Sequence, residues 1–125
     1  MSQPYVFQLA SQSAQWLSAR QSLIASNVAN ANTPGYRALD LQPFSAVLDS
    51  TQVTMVTTNP AHMTPTQEEF AAARVVESDS SDETLSGNSV RLEDEMIKLG
   101  DVNRAYSMGT NIKRAIHQML MSALK

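Results

Sequence analysis

The chain has 125 residues, which is one domain's worth at most. Its formal net charge of −3 leaves no basic surface for nucleic acid and no polybasic cluster for an anionic membrane. The absence of cysteine excludes disulfides, thiolate nucleophiles and zinc–cysteine sites. No stretch approaches the roughly 18 apolar residues of a membrane span, and the N-terminus lacks the charged and apolar regions of a secretory signal.

The first thirty residues have the periodicity of an amphipathic helix, predicted from about Gln3 to Asn30, with a length of roughly 40 Å. One small, apolar stripe contains Ala10, Ala14, Leu17, Gln21, Ile24, Val28 and Ala31. A neighbouring stripe is interrupted by polar residues, which favours a partly wet contact; it contains Val6, Leu9, Ser13, Trp16, Arg20, Leu23 and Asn27. We interpret the aromatic residue of this second stripe as a buried packing anchor.

A motif rich in asparagine follows, from Ser26 to Tyr36. Short amides compete for backbone groups and are poor in helix interiors, so the motif predicts a helix end. Pro34–Gly35 fits the centre of a type II turn, in which Gly35 supplies the positive φ. Asn27 and Asn30 lie one turn apart before the break, where they can present amides to a neighbouring helix. A simple helix stop is the alternative for any one of these residues.

The middle of the chain, residues 37–86, is the least regular part. A short helix is predicted from Pro43 to about Leu48 or Asp49, and the β-branched run 52–57 suggests an edge strand. Residues 68–77 fit a helix or a strand equally well. The acidic run Ser78–Glu83 contains no apolar residue, which indicates a solvated loop. A calcium loop is the alternative, but the ligand spacing of an EF-hand is absent.

A second long helix of roughly 50 Å is predicted after Gly87, with Asn88 or Ser89 as its cap. Three acidic residues, Glu93 to Glu95, suit a solvated first turn beside the positive end of the helix dipole. Apolar and small residues then recur every three or four positions, at Leu92, Met96, Leu99, Val102, Tyr106, Gly109, Ile112, Ile116, Met119 and Ala123.

Two further features concern the same predicted helix. Lys113, Arg114 and Lys125 lie toward its C-terminal end, where the helix dipole favours positive charge. Gly100 and Gly109 each lower helix propensity by about 1 kcal/mol, so they mark either close backbone approach or local bending.

The Ser26–Tyr36 motif, with Gly87–Val90, Leu92–Glu93 and Glu95–Met96, resembles bacterial flagellar rod and hook proteins. Within them, the short chain and compact turn look most like the proximal-rod type of the basal-body rod protein family. One departure is Arg91, where that family often carries an acidic residue.

This resemblance implies a mainly α fold, in which long terminal helices pack as a coiled-coil-like hairpin. Residues 1–36 and 87–125 would form the paired rod domain, and the irregular segment 37–86 would connect them. The implied assembly motif is Asn27, Asn30, Asn32, Thr33, Pro34, Gly35 and Tyr36. The implied packing and interface positions are Trp16, Leu17, Leu23, Ile24, Val28, Met96, Leu99, Tyr106, Ile112, Ile116 and Leu120.

In function, the resemblance implies a structural subunit that polymerises into the drive shaft carrying torque across the periplasm. The implied partners are further copies, other rod proteins, the adaptor joining the membrane ring to the rod, and the export apparatus. Localisation would be the flagellar basal body, reached through the flagellar type III export route without a cleavable signal.

An enzyme is the first alternative, and the sequence argues against it. His62 and His117 are the only imidazoles, and no nucleophile, P-loop or metal-protease motif accompanies them. We therefore expect no catalytic residue, no metal and no cofactor. The remaining alternatives are another short rod protein of the same superfamily and a non-flagellar helical hairpin that binds a partner.

The apolar stripes are wider than the seam between two helices. The leftover positions must meet other chains or stay exposed. We therefore expect a monomer that is loosely ordered at its termini and becomes fully helical on assembly.

Overall fold

The computed structural model describes residues 5–51, 74–79 and 82–124. In chain order the elements are α1 (Tyr5–Ala29), β1 (Leu39–Leu41), α2 (Phe44–Thr51), β2 (Val75–Glu77) and α3 (Leu92–Ala123). The two terminal helices, of 25 and 32 residues, are about 37 and 48 Å long and pack against each other. The predicted mainly α fold with long, paired terminal helices is confirmed.

The helices run antiparallel, because the end of α1 meets the beginning of α3. Leu17 and Ile24 of α1 are buried against Val102 of α3. Partly buried residues extend this core on both helices, namely Trp16, Val28, Leu99 and Ala105. The small, apolar stripe of α1 therefore faces α3. Its 3.6-residue period places these residues on one side of the helix.

The second stripe of α1 faces β1. The Trp16 indole donates a hydrogen bond of 2.9 Å to the carbonyl oxygen of Gln42, and its ring lies 6.0 Å from that of Phe44. The Arg20 guanidinium lies 5.4 Å from the centroid of the Trp16 ring. Two polar residues of this stripe, Arg20 and Asn27, bind the connection between α1 and α2, and the Arg20 side chain remains 23% exposed.

The strands form a two-stranded antiparallel sheet, in which Asp40 pairs with Val76. Backbone bonds from Gln42 to Arg74 and from Ser78 to Ala38 lengthen the ladder at both ends. The sequence did not predict β1. The region 68–77 was predicted as either helix or strand, and its described residues Val75–Glu77 form a strand. The short helix after Pro43 is confirmed as α2, whereas the predicted strand at 52–57 lies outside the described residues.

The beginning of α3 differs from the prediction. The N-cap residue is Arg91, and its side chain makes no capping hydrogen bond. Asn88 and Ser89 do not cap this helix, because both side chains bind the segment after α1 instead. Three acidic residues occupy the first turn as expected, but Glu95 is buried and not solvated.

The far end of α3 also differs. The last turn of the helix contains no basic residue, because Lys113 and Arg114 lie more than two turns before Ala123. A Cβ atom built on Gly100 or Gly109 would meet nothing within 4 Å, so neither glycine serves a close approach within the described chain. None of the described helices is long and apolar enough to cross a membrane.

Candidate functional site

Asn27 is the centre of a polar cluster at the end of the helix pair. Its side chain is 0% exposed. The amide nitrogen donates to the Leu39 carbonyl at 2.7 Å and to the Glu95 carboxylate at 3.0 Å. The amide oxygen accepts from the Leu39 N–H at 3.0 Å and, at 3.5 Å, from the Tyr36 hydroxyl. One side chain therefore joins α1, β1 and α3 with every donor and acceptor in use.

Glu95 carries the network onward from Asn27. It is 2% exposed, and its second oxygen accepts from Lys98 at 2.9 Å. The Lys98 ammonium also lies 3.7 Å from Asp40. Asp40 in turn forms a two-pronged ion pair with Arg20, in which both N–O distances are 2.9 Å. A buried carboxylate is tolerated here because an amide and a cation satisfy its oxygens.

The ion pair between Arg20 and Asp40 shifts the pKa values of both residues. Burial alone raises the pKa of Asp40, but the hydrogen bonds from Arg20 and the Leu41 N–H outweigh it, and the charges of Arg20 and Lys98 add to them. The net result is that the pKa of the Asp40 carboxyl lies below its ordinary value. The hydrogen bond to Asp40 raises the pKa of Arg20.

The predicted turn after α1 is present. The Tyr36 N–H donates to the Thr33 carbonyl at 3.3 Å, which closes a four-residue turn with Gly35 at a φ of +72°. The amide of Asn30 bonds back to Ser26 of its own helix, at 2.8 Å. The prediction that both helix asparagines reach a neighbouring helix is therefore right for Asn27 and wrong for Asn30, whose position lies at the fraying last turn.

Asn88 and Ser89 hold the turn from the other side. The Asn88 amide is almost fully buried and donates to the backbone carbonyls of Asn30 and Thr33 at 2.9 and 2.8 Å. The Ser89 hydroxyl accepts from the Ala38 N–H at 2.8 Å. The carbonyl groups exposed at the end of α1 thus find donors more than fifty residues away.

We name this region, residues 27–40 hydrogen-bonded to residues 84–98, the clasp. Among the described residues, no buried side-chain nitrogen or oxygen lacks a hydrogen-bond partner. Within the predicted motif, Asn32, Thr33, Pro34 and Gly35 are exposed on the outer surface of the clasp. The motif therefore has an inner part that binds its own chain and an outer part that is free to contact another.

The opposite end of the helix pair, which we name the open end, comprises residues 5–14 and 106–124. Many large apolar side chains of α3 are 47–61% exposed there, including Tyr106, Met108, Ile112, Met119, Leu120 and Met121. A groove with both apolar and polar walls separates the helices, lined by Ala10, Ser11, Ser13, Ala14, Leu17, Ala105, Tyr106, Gly109, Thr110 and Lys113.

The predicted packing positions differ in how far the single chain covers them. Leu17 and Ile24 are buried, and Trp16, Leu23, Val28, Leu99 and Ile116 are partly covered. Met96, Tyr106, Ile112 and Leu120 are exposed in the single chain. Sequence reasoning missed Asp40 and Lys98 as partners, because their contacts are distant in the chain.

In the described part of the chain, no group of three or more histidine, aspartate or glutamate side chains could hold a metal ion. The arrangement is that of a structural element whose one end is closed by hydrogen bonds and whose other end exposes apolar helix surface.

Comparison with known proteins gives the class of such an element. Residues 8–37, which include most of α1 and the following turn, match the family "Flagella basal body rod protein". A flagellar basal body rod protein FlgB of Agrobacterium fabrum is 40% identical over 124 residues, which is 96% of this chain and 92% of the relative. A FlgB of Salmonella typhimurium is 30% identical over 115 residues, 85% and 83% of the two chains. The chain belongs to the FlgB family of flagellar basal body rod proteins.

Proposed function

We propose that this chain polymerises through its terminal helices into the proximal rod, the shaft that carries torque across the periplasm. Residues 1–36 and 87–125 would form the polymerising part, with 37–86 as the connecting segment. The observation that supports this proposal is the apolar helix surface of the open end, which the single chain leaves uncovered.

The magnitudes favour assembly with several neighbours. Fully burying one large apolar side chain contributes roughly 1.5–3 kcal/mol, and these side chains are about half exposed. Six of them would contribute on the order of 5–9 kcal/mol. Association itself costs an estimated 4–15 kcal/mol, so one such contact is marginal and a lattice of contacts is stable.

The outer surface of the clasp supports a second contact. Asn32 to Gly35 form an exposed turn fixed by bonds from within the same chain. A turn held in this way presents a preorganised surface, which lowers the entropy lost on binding. We propose that this surface and the open end meet different neighbours.

The partners we propose are further copies of the chain, other rod proteins, and the adaptor joining the membrane ring to the rod. The export apparatus would be a transient partner during passage to the basal body. The role is structural and not enzymatic.

Complementation of a deletion strain tests this proposal. Ile112→Asp combined with Leu120→Asp places charges on the exposed apolar face of α3. We expect a folded chain by circular dichroism, no swimming in soft agar, and no rod in basal bodies seen by electron microscopy.

The matched control places the same two charges on the same helix at exposed polar positions, Asn111→Asp with Gln118→Glu. This control should swim. Normal rods and normal swimming in the Ile112/Leu120 variant would show that the apolar face has no part in assembly.

A further inference from the structure

Charge is divided unevenly along the chain. All 12 acidic residues lie between Asp40 and Asp101, so the segment after Asp101 carries only basic charges. Among the described residues, the acidic side chains of β1, β2 and the first turn of α3 lie at the clasp end, whereas the basic segment forms the remainder of α3. Glu93 and Arg114 are 21 positions apart on one helix, or about 30 Å. The two ends of the helix pair therefore carry opposite charge.

At the open end, a second groove combines apolar and basic groups. It is lined by Phe7, Thr110, Lys113, Arg114 and His117. Lys113 and Arg114 are exposed and form no ion pair with any described residue. An ammonium and a guanidinium beside an aromatic ring fit a protein surface that presents carboxylates among less polar atoms.

At the clasp end, two carboxylates of one extended segment are available. Glu77 and Asp79 are exposed and have no ion-pair partner among the described residues. Other acidic residues nearby are engaged, since Asp82 and Asp94 both pair with Arg91. Ser78, between these two residues, accepts a hydrogen bond from Lys98 of α3. Because successive side chains of an extended segment point to opposite sides, Glu77 and Asp79 share the side turned away from α3.

We propose that the basic groove at the open end docks on the acidic surface at the clasp end of a second copy of this chain. This inference rests on the proposed function and assigns the two surfaces through which copies meet. The surfaces differ, so the contact is heterologous, and a docked pair keeps one free basic groove and one free acidic surface. Repetition then produces a ring or an open helix. The attraction between exposed charges is screened by salt, so the association weakens as ionic strength rises.

Sedimentation velocity of the full chain at low and high ionic strength tests the docking. The variants are Lys113→Glu with Arg114→Glu, which reverses the basic groove, and Glu77→Lys with Asp79→Lys, which reverses the acidic surface. The matched control combines all four changes, which inverts the polarity and keeps the net charge of −3. Circular dichroism verifies that each variant is folded.

We expect the wild-type chain to associate at low salt and each two-site variant to associate about tenfold more weakly. An equimolar mixture of the two variants, and the four-site control, should regain association. The mixture should form species larger than a heterodimer. Wild-type chains that remain monomeric at all concentrations, unchanged association of the Lys113/Arg114 variant, or a mixture that stops at heterodimers would each overturn the docking. Binding to anionic vesicles without self-association would overturn it as well.

The two proposals fail differently. If the Lys113/Arg114 variant builds normal rods while the Ile112/Leu120 variant builds none, the charge-guided docking is wrong and the rod function stands. If the Ile112/Leu120 variant also builds normal rods, the proposed use of the open end is wrong.

Discussion

The amide of Asn27 donates a 3.0 Å hydrogen bond to the carboxylate of Glu95, 68 residues further along the chain, and both side chains are buried. This bond ties the end of the first helix to the beginning of the last. The backbone of Leu39 fixes the amide orientation, because its N–H can only donate and its carbonyl can only accept. The terminal segments are therefore registered at one end by specific polar contacts.

Replacing Asn27 with Ala should lower the free energy of unfolding by about 3 kcal/mol. The change leaves the Leu39 backbone and the buried Glu95 carboxylate short of partners, and unsatisfied buried groups carry that order of penalty. Denaturant unfolding followed by circular dichroism measures it. Asn32→Ala, an exposed change in the same motif, should alter stability by less than about 0.5 kcal/mol. Equal effects at the two positions would argue against the clasp.

Stability should fall in acid through Asp40. Its pKa in the folded chain lies below the ordinary value of 3.8, so near that pH the unfolded chain binds a proton that the folded chain does not. The contribution of Asp40 to the free energy of unfolding is full above about pH 5. It is lost as the pH falls through 3.8 toward the pKa of Asp40 in the folded chain. The stability difference between wild type and Asp40→Asn should therefore shrink in acid.

The comparison is made by denaturant titration at a series of pH values. Arg20→Gln should remove much of the same pH dependence, because the Arg20 hydrogen bond lowers the pKa of Asp40. A difference between wild type and Asp40→Asn that stays constant from neutral pH to pH 2 would rule out the ion pair as its source.

The turn after α1 should be required for motility. Gly35 has a φ of +72° with open space around its missing Cβ, so Gly35→Ala costs about 1 kcal/mol through the backbone alone. Pro34→Ala with Gly35→Ala should abolish swimming if the turn sets the shape of the subunit. Gly35→Asn is the control, because asparagine tolerates positive φ, and it should swim. Unimpaired swimming of the double variant would remove the turn from the mechanism.

Replacing the two glycines of α3 should distinguish effects on folding from effects on assembly. Gly100→Ala and Gly109→Ala should each stabilise the free chain by about 0.5–1 kcal/mol, because neither new methyl group meets an atom within 4 Å. Only Gly109 lines the groove between the helices, so only its replacement should impair rod assembly. Thermal melts and complementation assays measure the two effects. Equal assembly by both variants would show that no neighbour enters this groove.

The sequence was sufficient for the elements whose signals are local. The two long helices follow from 3.6-residue periodicity, the turn from Pro34–Gly35, and α2 from the proline before Phe44. These features depend on neighbours within a few positions, so they survive in any tertiary context. The prediction of paired terminal helices came from resemblance to a family and was confirmed.

The features that the sequence predicted wrongly or missed depend on partners distant in the chain. Asn88 and Ser89 have the chemistry of helix caps, but carbonyl and amide groups after α1 use those side chains instead. Glu95 occupies a first turn, where carboxylates are usually solvated, and its burial depends on Asn27 and Lys98. Strand β1 has only three residues, too few for its alternation of leucine, aspartate and leucine to predict a strand. Local propensity cannot reveal any of these.

The central claim is that the clasp folds within one chain while the open end is completed by neighbours. Hydrogen exchange of the dilute monomer and of isolated rods measures this directly, residue by residue. We predict that amides at 17–29 and 94–105 are protected in both states, and that amides at 106–124 exchange fast in the monomer and slowly in the rod. Uniform, cooperative protection of the whole of α3 in the dilute monomer would contradict the account.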